Sequence, residues 1–231
     1  LKRLGDSEEN ILVVQGNLAN AYQKLGRLDE AMQLSRDIYC ARVKLNGKES
    51  EDTLVAANNY AADLFVLQRF QETRSLLRRP MSVARRVLGD NNDTTLRMRW
   101  VYAQTFYKDN AATLDDLREA VKTLEEVAPT ARQVFGGAHP LTTAFENSLR
   151  DARATLRDRE MLKKEDERAL KEKQLKRDSQ LDTLNECRKQ RLAQDPDNLE
   201  LRRTHGTMSS YLRYLRELYP EHSKFEIPPE A

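Results

Sequence analysis

Asn17-Leu18-Ala19-Asn20-Ala21-Tyr22, continued by Leu25-Gly26-Arg27-Leu28-Asp29-Glu30-Ala31, is the stretch that decides the fold. It reads as the end of one helix, a tight turn at Gly26 and the start of a second helix. The small Ala19 lets the two helices approach closely, Tyr22 and Leu28 fill the gap between them, and Ala31 sits where the second helix crosses. One hairpin of this kind cannot bury its apolar face and must stack on a neighbour. The sequence supplies the neighbour: Asn17 returns as Asn59, Ala19 as Ala61, Leu25 as Leu67, Leu28 as Phe70, Glu30 as Glu72 and Leu34 as Leu76, a constant offset of 42 (59 − 17). The same offset carries Thr53 to Thr95, Leu54 to Leu96, Tyr60 to Tyr102 and Ala61 to Ala103.

Composition agrees with helices throughout. A third of the residues are charged, aromatics are few, and the 231 residues include only eight Gly and seven Pro. Such a chain favours helix over sheet, and no alternating β-branched run reads as a strand hairpin. Lys and Arg (39) almost balance Asp and Glu (37), which argues against a nucleic-acid binder with a dominant basic face. No apolar run approaches the ~20 residues that cross a bilayer, so no membrane partner is expected. Cys40 and Cys187 fit no metal or redox spacing, and a reduced, cytosolic setting is the expectation. The chain opens on Leu1 rather than Met, as a piece of a longer protein would.

Between the units lie two similar junctions, Val87-Leu88-Gly89-Asp90-Asn91-Asn92-Asp93-Thr94-Thr95-Leu96 and Val134-Phe135-Gly136-Gly137-Ala138-His139-Pro140-Leu141-Thr142-Thr143. In the first, Gly89 closes one helix and Asp93 or Thr94 caps the next. Residues 1–9 are polar and read as frayed or as a cap on the first hairpin. The second helix of unit one carries Met32, Leu34, Ile38, Val43 and Leu45. Pro80 falls inside the second helix of unit two, where a kink or break is expected, and Pro129 invites a bend in unit three. The turn between Lys108 and Leu117 is about five residues longer than its counterparts, with Thr113 or Asp115 as the cap of a helix whose stripe is Ala120, Leu124, Val127, Ala131 and Val134. A further first helix, with Phe145, Leu149, Ala152 and Leu156, has no Gly turn after it and caps the stack.

These motifs match the tetratricopeptide repeat at its leucine, small, tyrosine, glycine and second alanine positions. The period, longer than the usual ~34 residues, and the His139-Pro140 junction make the chain resemble the repeats of kinesin light chains. The resemblance covers residues 10 to 156. It implies an all-α, tetratricopeptide-type right-handed helical solenoid with a C-terminal charged helical extension. The units are expected at about 10–51, 52–92 and 93–140, with a capping helix at 141–156 that completes a repeat array over 1–156. The charged helical extension is expected at 157–195, and a terminal helix with a Pro-containing tail at 196–231.

From Arg157 to Asp178 nearly every residue is charged, with Glu160/Lys164, Glu167/Lys171 and Glu172/Lys176 in the favourable i,i+4 order. Leu149, Leu156, Leu170 and Leu184 share a heptad position, but Lys163 and Arg177 interrupt the seam. A solvated helix and a coiled-coil contact are both open readings. Beyond Asp195-Pro196-Asp197-Asn198, a turn and cap, Met208, Tyr211, Leu212, Leu215, Leu218 and Tyr219 lie on one face of a last helix.

No catalytic constellation emerges. His139, His205 and His222 share no ligand spacing, no nucleophile stands beside a base, and Gly136-Gly137 alone is a turn rather than a phosphate loop. Asp90, Asn91, Asn92 and Asp93 lack the spacing and final Glu of a calcium loop. The chain is therefore expected to be no enzyme, with no metal, no cofactor and no small-molecule substrate. What remains is the surface that the resemblance makes concave. It places Asn17, Asn20 and Lys24 of unit one on that face, Asn58, Asn59 and Ala62 of unit two, and Arg97, Gln104 and Lys108 of unit three. Asn amides can pair with both N–H and C=O of a ligand backbone, Arg97 and Lys108 would meet a carboxylate, and Trp100 and Tyr107 would wall an anchor side chain. The expected activity is that of a protein-interaction adaptor or scaffold for peptide segments of other proteins, acidic ones included. Against it stand a structural subunit that docks through its charged C-terminal helices, and RNA binding through Arg74, Arg78, Arg79, Arg85 and Arg86.

Overall fold

The computed structural model of the chain describes residues 2–194, so the expectations for His205, His222 and the segment 196–231 lie outside the described residues. Among the described residues there are seven helices and no strand: α1 (Lys2–Lys24), α2 (Leu28–Asn46), α3 (Glu51–Val66), α4 (Phe70–Val87), α5 (Asp93–Tyr107), α6 (Leu114–Phe135) and α7 (Pro140–Gln194). None of them is long and apolar enough to cross a membrane. The chain divides into two compact units, Leu1–Lys163 and Lys164–Ala231.

The first unit is a stack of helical hairpins of the expected kind. Gly26 sits in the left-handed region at φ 74° and lets Arg27 N–H reach back to the Tyr22 carbonyl at 2.9 Å. The same turn in unit two is made by Gln68 at φ 58°, with Arg69 N–H on the Leu64 carbonyl. A non-glycine residue is costly there, and the hairpin forms because the stack on either side fixes it.

Three local expectations need correction. Residues 2–9 are neither frayed nor a separate cap but the first turns of α1, because Lys, Arg, Leu and Glu extend a helix at little cost. The cap of α5 is Asn92, whose side chain accepts from Thr94 N–H at 2.8 Å, rather than Asp93 or Thr94. Pro80 does not break α4, which runs on to Val87. Proline there leaves one backbone bond unmade and crowds the carbonyl four residues before it, without ending the helix. The cap of α6 is Thr113, in a reciprocal capping box with Asp116.

Threonines fasten successive hairpins. Thr53 Oγ1 donates to the Arg42 carbonyl at 3.2 Å, and Thr142 Oγ1 to the Gly136 carbonyl at 2.8 Å. Each side chain thus ties the first turn of one helix to the end of the one before. Leu54, Ala57, Ala61, Leu77, Ala84, Met98 and Val101 form the core between α3, α4 and α5. Leu96, Val127, Ala128, Ala131 and Phe145 form another among α5, α6 and α7. Val134 and Leu45 lie outside these cores, largely exposed.

In the second unit, Lys164–Gln194 is helical, and side chains 164–183 are all exposed. Lys176 pairs with Glu172 at 2.6 Å as expected. Leu170 is exposed while Leu184 is buried, so the heptad leucines do not share one environment.

Candidate functional site

α1, α2 and α3 enclose a groove of about 260 Å³. One wall is Val13, Gly16, Ala19, Asn20 and Gln23 of α1, and the other is Asp52, Val55, Asn59, Ala62 and Asp63 of α3. Ser35, Ile38 and Arg42 of α2 form its floor. Helical spacing explains the walls, since residues three and four apart share a face. Between Asp52 and Asp63 the α3 wall is about 16 Å long at 1.5 Å per residue. That length suits roughly five residues of extended chain.

Gly16 lines the open side of the groove, and a Cβ built there meets nothing within 4 Å. Its middle is apolar (Val13, Val55, Ile38), while its ends are polar. At one end the buried Arg42 guanidinium donates to Asp52 at 3.3 Å. At the other, Asp63 is only 3% exposed and accepts from the Gln23 amide and the Ser35 hydroxyl. Burial pushes its carboxyl up from the ordinary aspartate value, and the Ser35 and Gln23 hydrogen bonds offset this only in part.

Of the residues expected on the concave face, Asn20 and Asn59 line this groove together, and so does Ala62. Asn17 and Lys24 are exposed on α1 but do not line it, and Asn58 is half-buried with its Oδ1 enclosed and unpartnered among the described residues. The α5 residues sit elsewhere. Arg97 Nε bonds Asp93 at 2.7 Å within its own helix, and Lys108 Nζ lies 3.7 Å from Asp151 and over the Tyr107 ring. The Trp100 indole N–H donates to Ser148 at 2.8 Å, its ring centroid lies 4.8 Å from that of Phe145, and the Gln104 amide also points at Ser148, 3.4 Å away. These four therefore have partners on α5 itself or on α7.

Sequence reasoning missed Gln23, Asp63 and Arg42. The only trace of Asp63 is an acid inside the otherwise apolar Tyr60-Ala61-Ala62-Asp63-Leu64-Phe65. The arginines expected to form a basic face are largely engaged. Arg74 bonds Asp109 at 2.9 Å and the Thr105 carbonyl, Arg85 bonds Asp90, and Arg86 bonds Glu49.

Residues 12–52 and 53–93 each match the family model of the tetratricopeptide repeat, so the two units around the groove are repeats of that kind. Among solved structures, the fold is similar to the nearly identical TPR-like repeats of a kinesin light chain candidate from Podosopora anserina. A single-substitution form aligns with TM-score 0.56 and a second crystal structure with 0.55, each at 22% identity over 62% of this chain. The chain spans 66% of the length of each. BtubC (BKLC) from P. vanneervenii aligns at 14% identity and TM-score 0.43, over 66% of this chain and 63% of that one. No curated protein sequence matches the chain. The likeness is one of fold, a solenoid of TPR-like hairpins.

Proposed function

We propose that the chain is a non-catalytic protein-interaction scaffold that binds short, extended peptide segments of partner proteins in the groove between α1 and α3. The observation that carries this reading is the pair of amides, Asn20 and Asn59, lining opposite walls of one open slot. Amides so placed hold a peptide backbone through its own N–H and C=O groups whatever its sequence. The apolar middle then takes one side chain. Arg97, Trp100, Gln104 and Lys108 extend the contact surface onto α5 in this reading, with Asn17, Lys24 and Asn58 at its margins. In the form suggested by the kinesin-light-chain likeness, such a scaffold is an adaptor that couples one protein to another.

The test is selection of a displayed peptide library on the full chain, repeated with the double variant Asn20→Ala, Asn59→Ala. The expected result is a set of enriched peptides whose binding weakens on the order of 30-fold in the variant, two net hydrogen bonds' worth. Equal binding by both proteins would move the interaction off the groove. A second reading, docking of a larger assembly on the charged helix, draws on the exposed Met161, Leu162, Leu170 and Leu175. Partner binding that survives the double variant but is lost on removing 164–231 would favour it.

A further inference from the structure

Three charged side chains are buried among the described residues: Arg42, Asp63 and Arg99. Both arginines have acids beside them, Arg42 with Asp52 and Arg99 with Glu126 and Asp90. Asp63 differs, because among the described residues its donors are neutral, the Gln23 amide and the Ser35 hydroxyl. A carboxylate offers about four lone-pair sites, and a buried charge left without a counter-ion is costly. Since Arg42 and Asp52 offset each other at the far end, the charge left over along the slot is the single negative one of Asp63. Asn59 stands one helical turn before it on the same wall.

We propose that the groove selects an extended segment carrying a lysine or arginine, whose cationic head seats against Asp63 while Asn20 and Asn59 hold the backbone. The inference rests on the peptide-groove reading and adds the sign of its anchor. The two amides accept any backbone, the apolar middle accepts any modest apolar side chain, and Asp63 alone discriminates. The cations of α5 do not reverse this preference, because Arg97 and Lys108 already face Asp93 and Asp151. An arginine fork or a lysine ammonium supplies the charged donors that Gln23 and Ser35 cannot. Bringing such a cation in would hold Asp63 ionised, against the effect of its burial.

The experiment uses the full chain, a displayed library of random linear peptides, and two variants. Gly16→Leu introduces a large side chain on the slot wall at a position where a Cβ has no neighbour within 4 Å, and a urea midpoint near that of the parent shows that the variant folds. Asp63→Asn keeps an acceptor for Gln23 and removes the charge. The expected result is a Lys or Arg at a fixed place in the enriched peptides, loss of binding in Gly16→Leu, and roughly 10- to 100-fold weaker binding in Asp63→Asn, the range of a charged hydrogen bond. A synthetic enriched peptide with its cation replaced by norleucine should bind the parent and Asp63→Asn alike. Peptides with an acidic or neutral residue at that place, or equal binding by Asp63→Asn while Gly16→Leu abolishes it, would overturn the basic anchor alone. Binding unchanged in Gly16→Leu, or no enriched peptide, would overturn the groove and the anchor together.

Discussion

The first junction of the stack, α1 against α3, is an open polar slot, whereas the last, α5 against α7, is closed and largely apolar, although both are built on one repeat. The correspondence is arithmetic, because α3 and α5 follow at an offset of 42 and α7 starts at Pro140 where α5 starts at Asp93, an offset of 47 (140 − 93). Gly16 thus becomes Asn58 and then Trp100, and Gln23 becomes Phe65 and then Tyr107. On the facing helices Ala56 becomes Met98 and Phe145, Asn59 becomes Val101 and Ser148, and Asp63 becomes Thr105 and Ala152. At the first junction the space above Gly16 is empty and a carboxylate sits at the end. At the last, Trp100 occupies that space against Phe145 and Ser148, and Ala152 packs with Tyr107 in the core. Side-chain size and polarity at a few repeat positions decide whether a junction is a slot or a core, with the backbone unchanged in kind.

The largest expected effect tests that contrast directly. Phe145 is wholly buried, so Phe145→Ala should cost about 3–5 kcal/mol, read as a shifted urea midpoint. Val55, on the open slot and 39% exposed, should tolerate Val55→Ala within about 0.5 kcal/mol. Equal losses at the two sites would mean that the junctions do not differ as described.

A smaller effect separates the hairpin turns. Gly26 and Gln68 occupy equivalent left-handed positions, so Gly26→Gln should destabilise by about 1–2 kcal/mol. Gln68→Gly should stabilise by a similar or smaller amount, because glycine also loses more freedom on folding. Thermal unfolding of the two variants checks the pair, and changes of the same sign would break the equivalence of the turns. Smaller again, Gly16→Ala should stabilise α1 by about 0.8–1.0 kcal/mol, since nothing opposes the new methyl. A loss instead would mean that the slot is tighter than Gly16 makes it.

What the sequence could and could not disclose follows the same line. The hairpins were legible because their determinants are local and repeat at a fixed offset: Ala19 and Ala61, Gly26, Gly89, Thr53 and Thr95. The cap of α5 lies one or two residues before the expected Asp93 or Thr94 because Asn, Asp and Thr in a row can each cap a helix, and only geometry selects Asn92. Arg97 was legible as a charge, and its Asp93 partner was visible at i,i+4, but Lys108 meets Asp151 across helices distant in sequence. Trp100 could not be placed without the register of α7, which sets Phe145 and Ser148 beside it. Asp63 escaped for the same reason: an acid in an apolar run declares itself only when the facing Gln23 and Ser35 are known. Single-helix features were readable, and inter-helix pairings were not.

The finest test of the open junction is a pH series on the carboxylate that it buries. Burial raises the Asp63 carboxyl above its ordinary value, so between the unfolded and folded values the folded chain binds more protons than the unfolded one. Stability then falls as pH rises through that window and is regained as pH drops back through it. Glu30 and Asp90 work the other way. Hydrogen bonds from Arg27 and Arg85 lower their carboxyls, so their contribution is present above the ordinary carboxylate values and is lost as pH falls from those values through the lowered ones. The difference between the parent and Asp63→Asn isolates the one group. Urea midpoints taken from neutral pH downward should show the parent gaining on the variant just above the ordinary aspartate range. Parallel curves would mean that water reaches Asp63 as freely as in the unfolded chain. A parent that loses ground over the same range would mean that a cation of the chain itself already occupies the place assigned to the ligand.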